Sequence, residues 1–521
     1  MSIKKRFLFS VFANVFRAGI SLLTGLIVAR GLGPSEYGNL AYLLGSFWAF
    51  RALLDMGASS AFYTFISRIN NSIAYYLIYF GWLLFQFVFL VVLIFILMPA
   101  YIQEKLWVNQ NSYLIFLALV ASYVQNQVWQ TIVQIYESQR KTIQVQAVSI
   151  LIIAVHLFLV IIFWANNLIS VPNVLLALIF EYIAATFWLV ISMRDYKLIS
   201  KENKLDINLR PYLIEYIGYC KPMVVIGVAT FLCEFADKWM LQNYSGSTQQ
   251  GFFQVASQLS TVGLIAATSM MNILWKEVSV SHGEGRKDRI IALHKKTASF
   301  LLLIVTSIAC FFVPWSKDLT GVMLGLEYLD SWPVLLVMLF YPIHQVMGQL
   351  NSTVLMGTSN TKLHMNLTIF GLVISLPVTL FLVAPSSGSW GFGLGMGALG
   401  FAIKTVILNI LLVNLQAWFI YRQNNRKYEW LSQFRGLGFC LLLSTLIYWV
   451  TSKLNFLVVN GLELNISLTI LVGIAMSAMV YFGVFIATIL FAPKLIGIHD
   501  SERNELIAML RGVMSMIKAK A

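Results

Sequence analysis

KKRFLFSVFANVFRAGISLLTGLIVA, residues 4–29, decides how this chain is read. Three cations precede an apolar stretch of about twenty residues, the length that crosses the hydrocarbon core of a bilayer. A secretory signal has the same layout. Here no small-residue cleavage site follows, and Asn14 and Arg17 interrupt the apolar run, so the stretch reads as a retained first span. With Lys4, Lys5 and Arg6 placed inside, every later loop acquires a side.

Thirteen more stretches of this kind follow. The predicted spans are 8–29, 38–66, 73–98, 113–136, 144–165, 172–193, 213–241, 250–275, 297–316, 332–356, 363–384, 391–420, 434–451 and 466–491. Counted alternately, the inside segments carry 27 of the 36 Lys and Arg residues, and the outside loops carry 4: Arg30, Lys105, Lys317 and Lys453. Shifting the count by one span destroys this asymmetry, which is what the positive-inside rule produces. The remaining five, Arg17, Arg51, Lys221, Lys238 and Lys404, fall within or at the edges of apolar stretches.

The composition agrees. The chain is 59% hydrophobic and 11% charged over 521 residues, whereas soluble domains sit near 45–50% and 25%. Continuous apolar runs without period-2 alternation specify helices and exclude a membrane β-barrel. The net charge of +14 is scattered over short inside loops facing anionic headgroups, which argues against nucleic acid as a partner. Cys220, Cys233, Cys310 and Cys440 lie in or beside apolar stretches with no CxxC spacing, so they read as buried small hydrophobes. The fold class expected is an all-α polytopic membrane protein of about fourteen spans.

A faint repeat runs through the chain. The turn Glu36-Tyr37-Gly38 between the first two spans corresponds to Gln249-Gln250-Gly251 between the seventh and eighth, 213 residues later. Pro99 and Pro314 lie at a similar spacing, and the inside turns Ser138–Lys141 and Ser359–Lys362 correspond at an offset of 221. Six spans per repeat is an even number, so both halves run the same way through the membrane. The expected domains are a six-helix bundle at 1–200, a second at 201–425, two additional spans at 426–492 and a cytoplasmic tail at 493–521. In the tail Leu506, Leu510, Val513 and Ile517 recur at helical spacing opposite Arg503, Arg511 and Lys518. That pattern fits an interfacial helix or a solvated tail packed on the inside loops.

A charge in mid-bilayer costs roughly 2.5–3.5 kcal/mol and faces a bundle interior or a wet cavity. Arg17 lies in the first span. Arg51 and Asp55, at i and i+4 in the second, share a helix face on which they can pair. Glu181 is mid-sixth span, Glu234, Asp237 and Lys238 are in the seventh, and Lys404 is in the twelfth. His156 and His344 read as hydrogen-bonded packing residues, and Lys221 as a cation reaching the inner interface. A buried cation requires something anionic nearby. For Arg17 and Lys404 this is Glu181, Asp55 or a substrate, and phosphate oxygens suit guanidinium and ammonium groups. The sequence has no P-loop, no nucleophile elbow, no metal-ligand cluster and no large outer loop for a catalytic site. No catalytic or metal residues are expected.

Ala29-Arg30-Gly31-Leu32-Gly33-Pro34-Ser35-Glu36-Tyr37-Gly38 resembles the A-R-x-L-G-P-x-x-Y-G signature of Wzx-type polysaccharide flippases. These belong to the multidrug/oligosaccharidyl-lipid/polysaccharide exporter (MOP) superfamily. Arg30, Gly33, Pro34, Tyr37 and Gly38 are the motif positions. Asp237-Lys238 resembles the family's Asp-Arg, with Lys in place of Arg. Leu355–Lys362 resembles its small-residue turn, and Gly397-Ala398-Leu399-Gly400 its G-A-A start of the twelfth span.

The resemblance implies two six-helix bundles around a central cavity. It implies translocation of undecaprenyl-diphosphate-linked oligosaccharide from the cytoplasmic to the periplasmic leaflet by alternating access, for O-antigen or another surface polysaccharide. Arg17 and Arg51 are similar in placement to the cavity arginines of lipid II flippases and would hold the diphosphate, with Lys404 and Lys238 as further cavity cations. Asp55, Glu181, Glu234 and Asp237 would pair charges or couple an H+ or Na+ gradient, without ATP or another cofactor. The expected location is the bacterial inner membrane with both termini cytoplasmic. The expected partners are the lipid-linked substrate, membrane lipids, a polysaccharide polymerase and a chain-length regulator. Two other readings remain: an ion-coupled multidrug/cation antiporter of the same superfamily, opposed by Arg17 and Lys404, and a membrane polysaccharide polymerase or glycosyltransferase, opposed by the missing catalytic loop.

Overall fold

The computed structural model describes residues 3–67, 73–192, 209–221, 223–386, 392–430, 432–462, 466–496 and 503. Among these residues the chain is helical and has no β-strand. The first helices are α1 (Ile3–Asp55), α2 (Ala58–Ile66), α3 (Ile73–Val91), α4 (Ala100–Leu106), α5 (Ser112–Tyr123), α6 (Trp129–Ser138), α7 (Thr142–Ala165), α8 (Val171–Ser192), α9 (Arg210–Cys220) and α10 (Met223–Ser260). There follow α11 (Ile265–Gly283), α12 (Lys287–Phe312), α13 (Ser316–Leu324), α14 (Trp332–Met338), α15 (Tyr341–Gly357), α16 (Thr361–Val383), α17 (Gly397–Gln423), α18 (Ser432–Leu462) and α19 (Ile466–Phe491).

All fourteen predicted spans fall mainly on helix, but the breaks differ from the expected ones. Nine described helices are long and apolar enough to cross a membrane, or up to eleven if each of two bent pairs is one span. Merging explains part of the difference. The segment Ala13–Asp55 is 43 residues long; a straight helix of that length would extend about 65 Å, twice the hydrocarbon core. It holds two crossings, joined at Gly33 (φ 73, ψ 169). Other predicted spans are interrupted. Met56 and Gly57, both at positive φ, separate α2 from α1 within the second span. A π-helical turn at Val124–Val128 interrupts the fourth. The twelfth starts at Gly397, later than expected. Of the amphipathic tail, only residues 493–496 and 503 are described.

The outward surface is that of a membrane protein. Phe180, Phe187 and Met479 are 68%, 65% and 77% exposed, and wide exposed apolar bands of this kind require a non-aqueous neighbour. The chain is a multi-pass membrane protein.

Contacts divide the chain into two compact units: Met1–Gln254 with Leu372–Phe401, and Val255–Gly371 with Ala402–Ala521. Most of α10 belongs to the first unit. In unit 1, the Phe62 and Tyr79 rings stack at 4.2 Å, and Trp107 lies stacked on Phe47 and Phe50. In unit 2, α11, α12 and α15 close around Val278, Val346 and Leu350, all fully buried. Asn351 crosses that core, accepting from His294 at 2.8 Å and donating to the Val413 carbonyl at 2.8 Å.

The repeat appears in the backbone. Gly246, 213 residues after Gly33, has φ 83 and ψ 171 and joins two helical segments inside α10. The inside turns also match, though in a different register. Arg140 at the end of α6 and Ser359 at the end of α15 have φ 62 and φ 58. Each turn makes the same two closing bonds: Arg140 N–H to Glu137 O and Lys141 N–H to Tyr136 O in one, Ser359 N–H to Met356 O and Asn360 N–H to Leu355 O in the other. The offset is therefore 219, not 221. The left-handed residue after the helix sets this register, not the shared Ser and Lys identities.

Candidate functional site

The two glycine turns meet inside unit 1. Gly33 hands the chain to Pro34, which suits the first turn of the next crossing. A Cβ placed on Gly38 would lie 1.8 Å from the Ser247 carbonyl oxygen, and one on Gly251 would lie 2.1 Å from the Pro34 carbonyl oxygen. The contact is reciprocal: each turn offers a carbonyl to the other's glycine. The Ser35 and Ser247 hydroxyls hydrogen-bond at 2.7 Å. Of the other motif positions, Tyr37 is buried and Arg30 exposed. Neighbouring bonds tie the same end together. Gln110 donates to Asn39 at 2.9 Å, Gln242 to Asn39 at 3.3 Å, and Trp239 to the Lys105 carbonyl at 2.8 Å.

The charges at membrane depth have specific neighbours. Arg17 is half-buried; its Nη2 donates to Asn14, while its Nε is buried with no hydrogen-bond partner. Glu137 and Tyr182 act on it electrostatically. Arg51 lies over the Trp48 ring at 5.0 Å. Among the described residues no carboxylate forms a salt bridge with either arginine. The Arg51–Asp55 pair suggested by helical spacing does not form. Asp55 is the last residue of α1, and its oxygens accept from the Ser59 N–H at 3.1 Å and the Ser59 hydroxyl at 2.9 Å, capping α2. Glu181 faces His156 at 3.0 Å and not Arg17, and its Oε2 has no partner.

The Glu234–Lys238 segment carries three charged residues within one helical turn. Lys238 donates to the Gly45 carbonyl at 2.9 Å and is flanked by Glu234 and Asp237. A Cβ on Gly45 would come 3.0 Å from the lysine chain, so the glycine makes room for it. Asp237 accepts from the Ser375 hydroxyl at 3.0 Å and the Thr379 hydroxyl at 2.6 Å. Neither hydroxyl gave a signal in the sequence, because Ser and Thr barely perturb the hydropathy of a span. Lys404, in unit 2, is buried at 5% exposure and is partnered. Among the described residues no cluster of His, Cys, Asp and Glu is able to hold a metal.

No protein-family model and no curated protein matches the chain. Solved structures do. The lipid II flippase MurJ in an inward closed conformation aligns over 94% of this chain and 99% of its own, with TM-score 0.63 and 16% identity. An inward-facing multidrug resistance MATE transporter of the MOP superfamily aligns over 79% of this chain and 96% of its own, with TM-score 0.62 and 14% identity. A MOP superfamily transporter from Pyrococcus furiosus aligns over 81% and 96%, with TM-score 0.52 and 14% identity.

The fold is the one these flippase and transporter structures share. At these identities the likeness carries architecture alone. One of these structures is named a lipid II flippase and another a multidrug resistance transporter, so the shared fold does not choose a cargo.

Proposed function

We propose that the chain is a transporter, not an enzyme, and that it flips undecaprenyl-diphosphate-linked oligosaccharide from the cytoplasmic to the periplasmic leaflet of the bacterial inner membrane. The product would serve O-antigen or another surface polysaccharide. On this reading residues 1–200 and 201–425 are the two functional bundles, 426–492 adds two spans, and both termini are cytoplasmic, as the distribution of Lys and Arg favours.

The supporting observation is the pair of arginines in unit 1. Arg17 and Arg51 lie in membrane-spanning helix, and no carboxylate among the described residues forms a salt bridge with either. Guanidinium groups left in this condition suit a diphosphate, which accepts several charge-assisted hydrogen bonds. They oppose a cationic drug, the cargo of the antiporter alternative. Lys404 and Lys238 are the further cavity cations in this proposal. Asp237, with its two hydroxyl donors, and Glu181, with its histidine, are the leading ion-coupling candidates beside Asp55 and Glu234. Alternating access coupled to H+ or Na+ would move the sugar; a polymerase and a chain-length regulator would receive it.

The test uses inverted vesicles from a deletion strain loaded with the lipid-linked oligosaccharide. Transfer to the lumenal leaflet should require this protein and an ion gradient, and no nucleotide. Arg17→Ala and Arg51→Ala should each reduce transfer at least about tenfold, the loss of one charge-assisted contact, while the protein still inserts. Full activity of both variants removes the diphosphate-binding model. Absence of transfer with verified insertion and cognate glycolipid favours the antiporter.

A further inference from the structure

Unit 2 contains a cavity of about 400 Å³ between the start of α12, the end of α17 with its following connection, and the start of α18. None of the site residues above lines it. One wall is aliphatic, formed by Ala298 and Leu302 of α12 and Met347 of α15.

The floor is polar, but its hydrogen-bond donors are already engaged. The Tyr428 hydroxyl donates to Asn414 Oδ1 at 2.9 Å. The Gln433 amide donates to the same oxygen at 2.7 Å and to the Trp430 carbonyl at 3.0 Å. His294 uses Nε2 on Asn351 at 2.8 Å and meets the Tyr421 hydroxyl through Nδ1 at 3.4 Å.

The remaining donors are the Ser299 hydroxyl and the cations of the lining: Lys295, Lys427 and the unused N–H groups of Arg426. Among the described residues neither lysine forms a salt bridge, whereas Arg426 is paired with Asp288 at 2.7 Å. The second lining acid, Glu429, is also partnered. The lining therefore holds three cations against two acids, with both lysines outside any salt bridge, beside an aliphatic wall. A soluble anion would leave that wall unused, and a zwitterionic headgroup would bring its own cation against two ammonium groups. Basic pockets between spans on the cytoplasmic side suit anionic lipid headgroups.

We propose that this cavity holds the phosphodiester headgroup of an anionic phospholipid of the cytoplasmic leaflet. Lys295 and Lys427 contact the phosphate oxygens, and the glycerol and first acyl carbons lie on Ala298, Leu302 and Met347. The leaflet rests on the orientation proposed above; the lipid class does not.

The experiment measures lipid retained by the purified full chain in mixed micelles, using phosphatidylglycerol and phosphatidylcholine with the same acyl chains. Wild type should retain phosphatidylglycerol about tenfold over phosphatidylcholine. The Lys295→Gln/Lys427→Gln variant should lose the preference, and Lys295→Arg/Lys427→Arg should keep it. Both lysines are exposed, so neither variant disturbs packing. Equal retention of the two lipids, or an unchanged preference in the glutamine variant, overturns the proposal. Displacement by millimolar inorganic phosphate would reassign the site to a free anion. Displacement by undecaprenyl diphosphate at lower concentration than phosphatidylglycerol would reassign it to the substrate. Either result also overturns the resident-lipid reading.

Discussion

The turn at Gly33 and the turn at Gly246 have nearly the same glycine dihedrals, φ 73, ψ 169 against φ 83, ψ 171, and each packs a carbonyl against the other's second glycine. Their side chains have diverged. The first turn carries Pro34, Ser35, Glu36 and Tyr37; the second carries Ser247, Thr248, Gln249 and Gln250. What the repeat has kept is the backbone path and the two places where a side chain will not fit. The difference shows which demands are geometric and common to both copies, and which are chemical and belong to one.

Linking the two turns covalently should have the largest effect. The Ser35 and Ser247 oxygens are 2.7 Å apart, within easy reach of a sulfur–sulfur bond of about 2.05 Å. If the proposed alternating access requires the turns to part, Ser35→Cys/Ser247→Cys should abolish glycolipid transfer when oxidised and regain it with reductant. Undiminished transfer in the oxidised protein, with the cross-link verified by mass spectrometry, would mean that the turns stay together throughout the cycle.

Next come the two glycines. Gly38→Ala and Gly251→Ala each force a methyl group onto a carbonyl oxygen, so the helices must separate. Each should cost about 3 kcal/mol, the upper part of the range for overpacking, read as a clear fall in melting temperature. Gly19→Ala is the control, because a Cβ there meets nothing within 4 Å; it should be neutral or slightly stabilising. Unequal costs at Gly38 and Gly251 would show that the reciprocal contact is less symmetric in energy than in geometry.

The same contrast explains what the sequence disclosed. The fourteen apolar stretches were legible because the bilayer demands the same length and composition at each crossing. The glycine turn was legible at its 213-residue spacing because only residues without a side chain satisfy it. The polar partnerships were not. Asp237 finds its hydroxyls at Ser375 and Thr379, 138 and 142 residues away, and no periodicity encodes a contact between distant helices. Asp55 was close enough in sequence to suggest Arg51, yet α1 ends at Asp55 and its oxygens turn to Ser59. Local spacing predicts a pair only while the helix continues. Glu181 likewise takes His156, whose distance from Arg17 along the chain gave no warning.

The smallest predicted effect separates the turns by chemistry. Glu36 and Gln249 occupy equivalent places in the repeat. Glu36 is exposed and bonded only weakly to Asn39, at 3.4 Å. Gln249 instead accepts the Ala398 N–H at 3.0 Å, satisfying a first-turn donor of α17, and packs where a Cβ on Gly397 would come within 2.9 Å. A helix has no internal partner for that N–H, so Gln249→Ala should cost about 1 kcal/mol, as loss of an N-terminal cap does. Glu36→Ala should stay within about 0.5 kcal/mol of wild type, as exposed substitutions do. Thermal melting of the two variants side by side decides it. If they melt alike, the Gln249 bond adds nothing beyond the shared backbone, and the divergence of the two turns carries no energetic weight at this position.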